Sequence, residues 1–107
     1  MEILHLNKES FAKLTTGSSE SVLIDFWASW CGPCQRLAPE LEKLASEHNN
    51  LIIGKIDVDD QNNVDLALQL GVNSIPALFF YKNGKLVKRL TGYMTKDELA
   101  EQLGLIS

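Results

Sequence analysis

Apolar residues come in short blocks along this chain, and the spacing within them switches between two residues and three or four. Leu4 and Leu6 alternate with His5, the period of a short strand. Asn7 precedes a stretch carrying Phe11, Ala12 and Leu14, and so predicts the N-cap of a first helix that Gly17-Ser18-Ser19 breaks. Residues 22–28, VLIDFWA, form a nearly continuous apolar run, as expected of a strand covered on both faces, with Asp25 out of place in it. Beyond the two cysteines, Leu37, Leu41, Leu44 and Ala45 recur at helical spacing on one stripe. Pro33 suits the first turn of that helix, where its missing N–H costs nothing, whereas Pro39 predicts a kink inside it. LIIGKIDV, residues 51–58, predicts a second buried strand, again with one misfit, Lys55. A shorter helix through Val64, Ala67 and Leu68 is expected to end at Gly71. ALFFY (77–81), Asn83-Gly84 and KLVKRL (85–90) predict a hairpin with a type I′ turn. Thr95 and Glu98 form a capping box for a last helix with Leu99, Leu103 and Ile106 on its apolar side.

The predicted order is βαβαβαββα. Strand–helix–strand units imply parallel pairing, and the final hairpin adds an antiparallel pair. The expected fold class is therefore α/β, a mixed central sheet of five strands flanked by four helices, in a single domain over residues 1–107. Composition agrees, with 45% apolar and 22% charged residues. A net charge of −4 argues against a nucleic-acid surface. Lys82, Lys85, Lys88 and Arg89 are expected to be the solvated face of the hairpin. No window is apolar enough to span a membrane, and MEILHLNKES lacks the features of a secretory signal. A cytoplasmic, monomeric protein is expected. Structural disulfides are rare in that compartment, so a CxxC pair there points to catalysis or metal.

Trp30-Cys31-Gly32-Pro33-Cys34 contains both cysteines. Such a pair can form a disulfide, bind a metal or simply pack. Its place between a strand and a helix adds information, because free N–H groups at a helix start stabilise an anion such as a thiolate. In this setting a cysteine pKa falls from about 8.5 toward 7 or below. Cys31 is expected to be the exposed nucleophile, with Cys34 buried beneath it as the resolving thiol. No metal site is expected: His5 and His48 lie outside ligand spacing for zinc, and Asp57, Asp59 and Asp60 lack the glycine and glutamate of a calcium loop.

VLIDFWASWCGPC, Pro39, Ile75-Pro76, Asn83-Gly84 and Gly92 together resemble the thioredoxin family from end to end. The resemblance implies a thiol–disulfide oxidoreductase that reduces protein disulfides, with no bound cofactor beyond a Cys31–Cys34 redox disulfide. It implies that Cys31 attacks, that Cys34 resolves, that Asp25 moves a proton behind Cys34, and that Lys55 is its partner. It also implies a cis bond before Pro76, and a substrate surface made of Trp30, Gly32, Pro33, Ile75, Pro76 and Gly92. Implied partners are a thioredoxin reductase, NADPH-dependent or ferredoxin-linked, and disulfide substrates such as reductases and peroxidases. Gln35-Arg36, Asn73-Ser74 and Ala77 depart from common family choices, and these rim positions bear on partner choice.

Overall fold

The structure, a computed structural model, describes residues 3–17 and 19–106. In chain order the elements are β1 (Leu4–His5), α1 (Lys8–Gly17), β2 (Ser21–Trp27), α2 (Gly32–Glu47), β3 (Leu51–Asp57), a 3-10 turn (Gln61–Asn63), α3 (Val64–Gln69), β4 (Ala77–Lys82), β5 (Lys85–Thr91) and α4 (Lys96–Gln102). The strands form one sheet in the order β1-β3-β2-β4-β5. β1, β3 and β2 are parallel, β4 pairs antiparallel with β2, and β5 pairs antiparallel with β4. The expected fold is the observed one.

Alternation along the central strands sorts the side chains into two layers. Leu23, Ile53, Leu78 and Phe80 meet Leu37, Leu41 and Leu44 of α2, Leu99 of α4 and Leu103 just past its end. Val22, Ile24, Phe26, Ile56 and Phe79 meet Phe11 of α1 and Leu66 of α3 on the other face. Each fully buried side chain of this size contributes about 1.5–3 kcal/mol, so two such layers fix the order of strands firmly. A Cβ at Gly54 would run into the side chain of Leu6, which lets β1 lie close on β3.

Helix ends follow their local chemistry. Asn7 caps α1, its Oδ1 accepting from Ser10 N–H at 2.9 Å. α2 continues through Pro39, although the bond from that residue to the Gln35 carbonyl cannot form. The hairpin turn has positive φ at Asn83 and Gly84, as a type I′ turn requires. Thr95 and Glu98 make both bonds of the capping box.

Two expectations need correction. Ala67 is buried as expected, but Val64 and Leu68 do not face the core: Leu68 is 71% exposed, and Leu66 is buried in their place. The helix is only six residues long, and Asn63, buried and donating to the Asp57 carbonyl at 3.0 Å, sets its phase. Ile106 is exposed and lies beyond α4. Gly104, at φ +69, ends that helix by donating to Glu101 O while Leu105 N–H returns to Ala100 O, so the chain leaves the stripe before Ile106. The predicted break at Gly17-Ser18-Ser19 falls partly on Ser18, outside the described residues.

Candidate active site

β2 ends at Trp27, and four residues later Cys31 is the N-cap of α2. Its Sγ accepts the Cys34 N–H at 3.2 Å, the bond by which a helix N-terminus would hold a thiolate in the reduced form. Gly32 and Pro33 fill the first turn, with the proline where its absent N–H is not needed. The sulfurs of Cys31 and Cys34 are joined in a disulfide, with Cα atoms 5.2 Å apart.

Cys31 is less exposed than the sequence predicts. It is 5% exposed against 2% for Cys34. Both pack with Ala28 against Trp27, Val58 and Ile75, and this apolar wall covers the outer sulfur. Cys31 Sγ lies 3.8 Å from the Ile75 carbonyl oxygen. The Ile75–Pro76 bond is cis, Ile75 is half-buried and Pro76 is buried. Gly92 donates its N–H to the Pro76 carbonyl at 2.9 Å. A Cβ on Gly92 would touch nothing, so its φ of +87° and not crowding is what favours glycine there.

Trp30 stands at the rim, 70% exposed. Its indole N–H donates to Asp59 Oδ2 at 2.6 Å, and the Asp59 N–H is itself held by Asp57 Oδ1. The spacing of Asp57, Asp59 and Asp60 excludes a calcium loop and predicts no contact with Trp30. The structure brings Asp59 across to hold the indole, a contact between residues 29 apart that no local pattern signals. Trp30, Val58, Ala67, Val72 and Ile75 border a groove of about 370 Å³ beside the disulfide.

Asp25 is fully buried in β2, on the face that carries Leu23 toward α2 but two residues nearer the disulfide end of the strand. Neither carboxylate oxygen has a hydrogen-bond partner among the described residues. Burial pushes its pKa up from 3.8 to about 7, and the Lys55 charge opposes that rise. Lys55 is the register neighbour of Asp25 on β3, half-buried, with its ammonium over the Trp27 ring, 4.8 Å from the centroid. The expected pairing is thus one of charge across the strands and not a hydrogen bond. The long side chain finds the indole face while its end stays partly hydrated.

Among the described residues no three His, Cys, Asp or Glu side chains converge as a metal site. No helix there is long and apolar enough to cross a membrane.

A disulfide at a helix N-cap, a cis-proline loop against it and a buried carboxylate in the strand that leads to it define a dithiol–disulfide exchange protein. The family model described as Thioredoxin matches residues 2–104. The chain is similar to a thioredoxin of Haemophilus influenzae, 43% identical over 100 residues, covering 92% of each protein. It is also similar to one of Mycolicibacterium smegmatis, 45% identical over 96 residues, covering 89% of this chain and 86% of the relative. A Mycobacterium leprae protein, the bifunctional thioredoxin reductase/thioredoxin, is 41% identical over 101 residues, 94% of this chain and 22% of that one. Among solved structures, chloroplastic thioredoxin z superposes with a TM-score of 0.87 at 28% identity, covering 98% of this chain and 94% of that one. The chain belongs to the thioredoxin family and is a thiol–disulfide oxidoreductase with protein-disulfide reductase activity.

Proposed function

We propose that the protein works as a cytoplasmic reductant of protein disulfides, through the following steps. In the dithiol form the Cys31 thiolate attacks one sulfur of a substrate disulfide. A Cys31–substrate bond forms, the substrate S–S bond breaks, and the departing thiolate takes a proton. Cys34 then gives its proton to Asp25, directly or through one water, and attacks Cys31 Sγ. The Cys31–Cys34 bond forms, and the second substrate thiolate leaves and takes up the proton held by Asp25. Two electrons have passed to the substrate, with one proton from Cys34 by way of Asp25 and one from solvent, which received the Cys31 proton when the thiolate formed. A thioredoxin reductase returns two electrons to Cys31–Cys34 and restores the dithiol, and the Mycobacterium leprae relative whose description joins both proteins supports that electron source.

The observation that carries this reading is the Cys34 N–H directed at Cys31 Sγ, which favours negative charge on the outer sulfur alone. An Asp25 pKa of about 7 suits a group that must both take and give a proton near neutrality. Trp30, Gly32, Pro33, Ile75, Pro76 and Gly92 serve as the docking surface, where an extended segment pairs its backbone with the edge at Ile75. Lys55 acts on Asp25 through its charge.

Insulin reduction under dithiothreitol tests it. Cys31→Ser is expected to abolish turnover, and Cys34→Ser to accumulate a mixed disulfide with the substrate that mass spectrometry detects. Activity that persists with both cysteines replaced would overturn the reading in favour of a non-redox clamp. A Cys31–Cys34 potential near the roughly −270 mV typical of thioredoxin is expected, as against about −120 mV for a strong oxidant.

A further inference from the structure

The segment joining α3 to β4 presents Ile75 to the disulfide, and its own backbone bonds lie at its ends. Val72 N–H closes α3 on the Ala67 carbonyl, and the Pro76 carbonyl accepts from Gly92. Asn73 and Ser74 between them are exposed. A small cavity of about 30 Å³ lies beneath, lined by residues 71–74 with Ala77, Phe79, Arg89, Leu90 and Thr91. Leu70 and Val72 pack against the core layer that holds Phe79, and the cavity leaves the segment's footing on the sheet incomplete beside them.

Arg89 spans that gap. It is paired with Phe79 across β5 and β4, and its guanidinium lies over the Phe79 ring, 4.4 Å from the centroid. From there Nη2 donates to the Leu70 carbonyl at 3.1 Å and more weakly to the Gly71 carbonyl at 3.5 Å. Among the described residues, Arg89 Nη2 and, at 3.8 Å, Cys31 Sγ are the only side-chain atoms bonded to the backbone of residues 70–75. A planar cation can stack on a ring and donate from its edge at once, which an ammonium cannot do equally well.

We infer that Arg89 is a positioning residue for substrate docking: anchored on Phe79, it holds the Leu70–Gly71 end of the segment and thereby sets where Ile75 meets an incoming polypeptide. This rests on the reading of Ile75 as part of the docking surface. Arg89 itself is exposed on an edge strand and is not one of the buried side chains of either core layer, so its replacement removes the stack on Phe79 but no buried core side chain. An extended protein substrate needs the Ile75 backbone in place, whereas a small aromatic disulfide needs only the sulfur of Cys31.

Pre-reduced native protein, Arg89→Gln and Arg89→Lys would each be mixed with insulin and, separately, with a small aromatic disulfide, well below their unfolding temperatures. Arg89→Gln is expected to lower the rate constant toward insulin about fivefold to tenfold, the loss of one charge-assisted hydrogen bond, while the small-disulfide rate stays within about twofold. Arg89→Lys should recover part of the insulin rate. Amide exchange at residues 71–75 should quicken in Arg89→Gln. Equal effects on both substrates, or an unchanged insulin rate, would overturn the inference. Failure of the native protein to reduce insulin would instead bring down the functional reading, so the two failures are distinct.

Discussion

Asp25 shows how one polar atom pair in an apolar strand is kept useful. Its neighbours in β2 are fully buried, and its oxygens accept no hydrogen bond among the described residues, so burial alone would keep the carboxyl neutral far above its ordinary range. The charge on Lys55, one strand away, opposes that shift. Trp27 takes part in this balance by seating the ammonium on its ring. Lys55→Met removes the charge that lowers the Asp25 pKa. The midpoint of the Asp25 carboxyl, followed by ¹³C NMR in the oxidised protein, is expected to move above its value of about 7 in that variant. An unmoved midpoint would mean that solvent screens Lys55 and that burial acts alone.

At the level of elements, α3 is where sequence pattern and structure part company. Val64, Ala67 and Leu68 have helical spacing, but in six residues such spacing admits two phases, and the chosen one buries Leu66 and Ala67. The Asn63 side chain decides between them by bonding the Asp57 carbonyl, a tertiary contact that periodicity does not encode. Leu66→Ala is therefore expected to cost about 2–5 kcal/mol in urea unfolding, and Leu68→Gln less than about 0.5 kcal/mol. The reverse order would place the core face of α3 elsewhere. The longer elements were legible because their signals agree. α2 carries a full stripe from Leu37 to Ala45, the hairpin has Asn83-Gly84, and α4 has a two-way capping box. The site was legible where chemistry is local, as in Cys31-Gly32-Pro33-Cys34. It was hidden where a partner is distant in sequence: Asp59 on Trp30, Arg89 on Leu70, and Lys55 on the Trp27 ring instead of bonded to Asp25.

For the molecule as a whole, Asp25 links the stability of the fold to pH. The folded pKa of about 7 lies above the ordinary 3.8 expected when unfolded, so between those values the native state binds a proton that the unfolded chain has lost. Stability from this group is therefore complete below about pH 4 and declines as pH rises toward 7. Above roughly pH 8 both states are ionised and the loss levels off. A shift of about three units corresponds to about 4 kcal/mol at the alkaline plateau, a large fraction of the 5–15 kcal/mol typical of a domain. Asp25→Asn removes the proton linkage while keeping the shape. The difference in unfolding free energy between Asp25→Asn and the native protein, both oxidised, is expected to grow by about 3–4 kcal/mol from pH 4 to pH 8 and then stay level. Any fixed cost of burying the amide shifts that curve vertically and leaves its slope alone. A difference independent of pH would show that Asp25 ionises in its ordinary range. An Asp25 with an ordinary pKa would stay ionised at neutral pH and be a poor acceptor for the Cys34 proton. The same titration therefore tests the stability argument and the proton step together, and it needs no substrate.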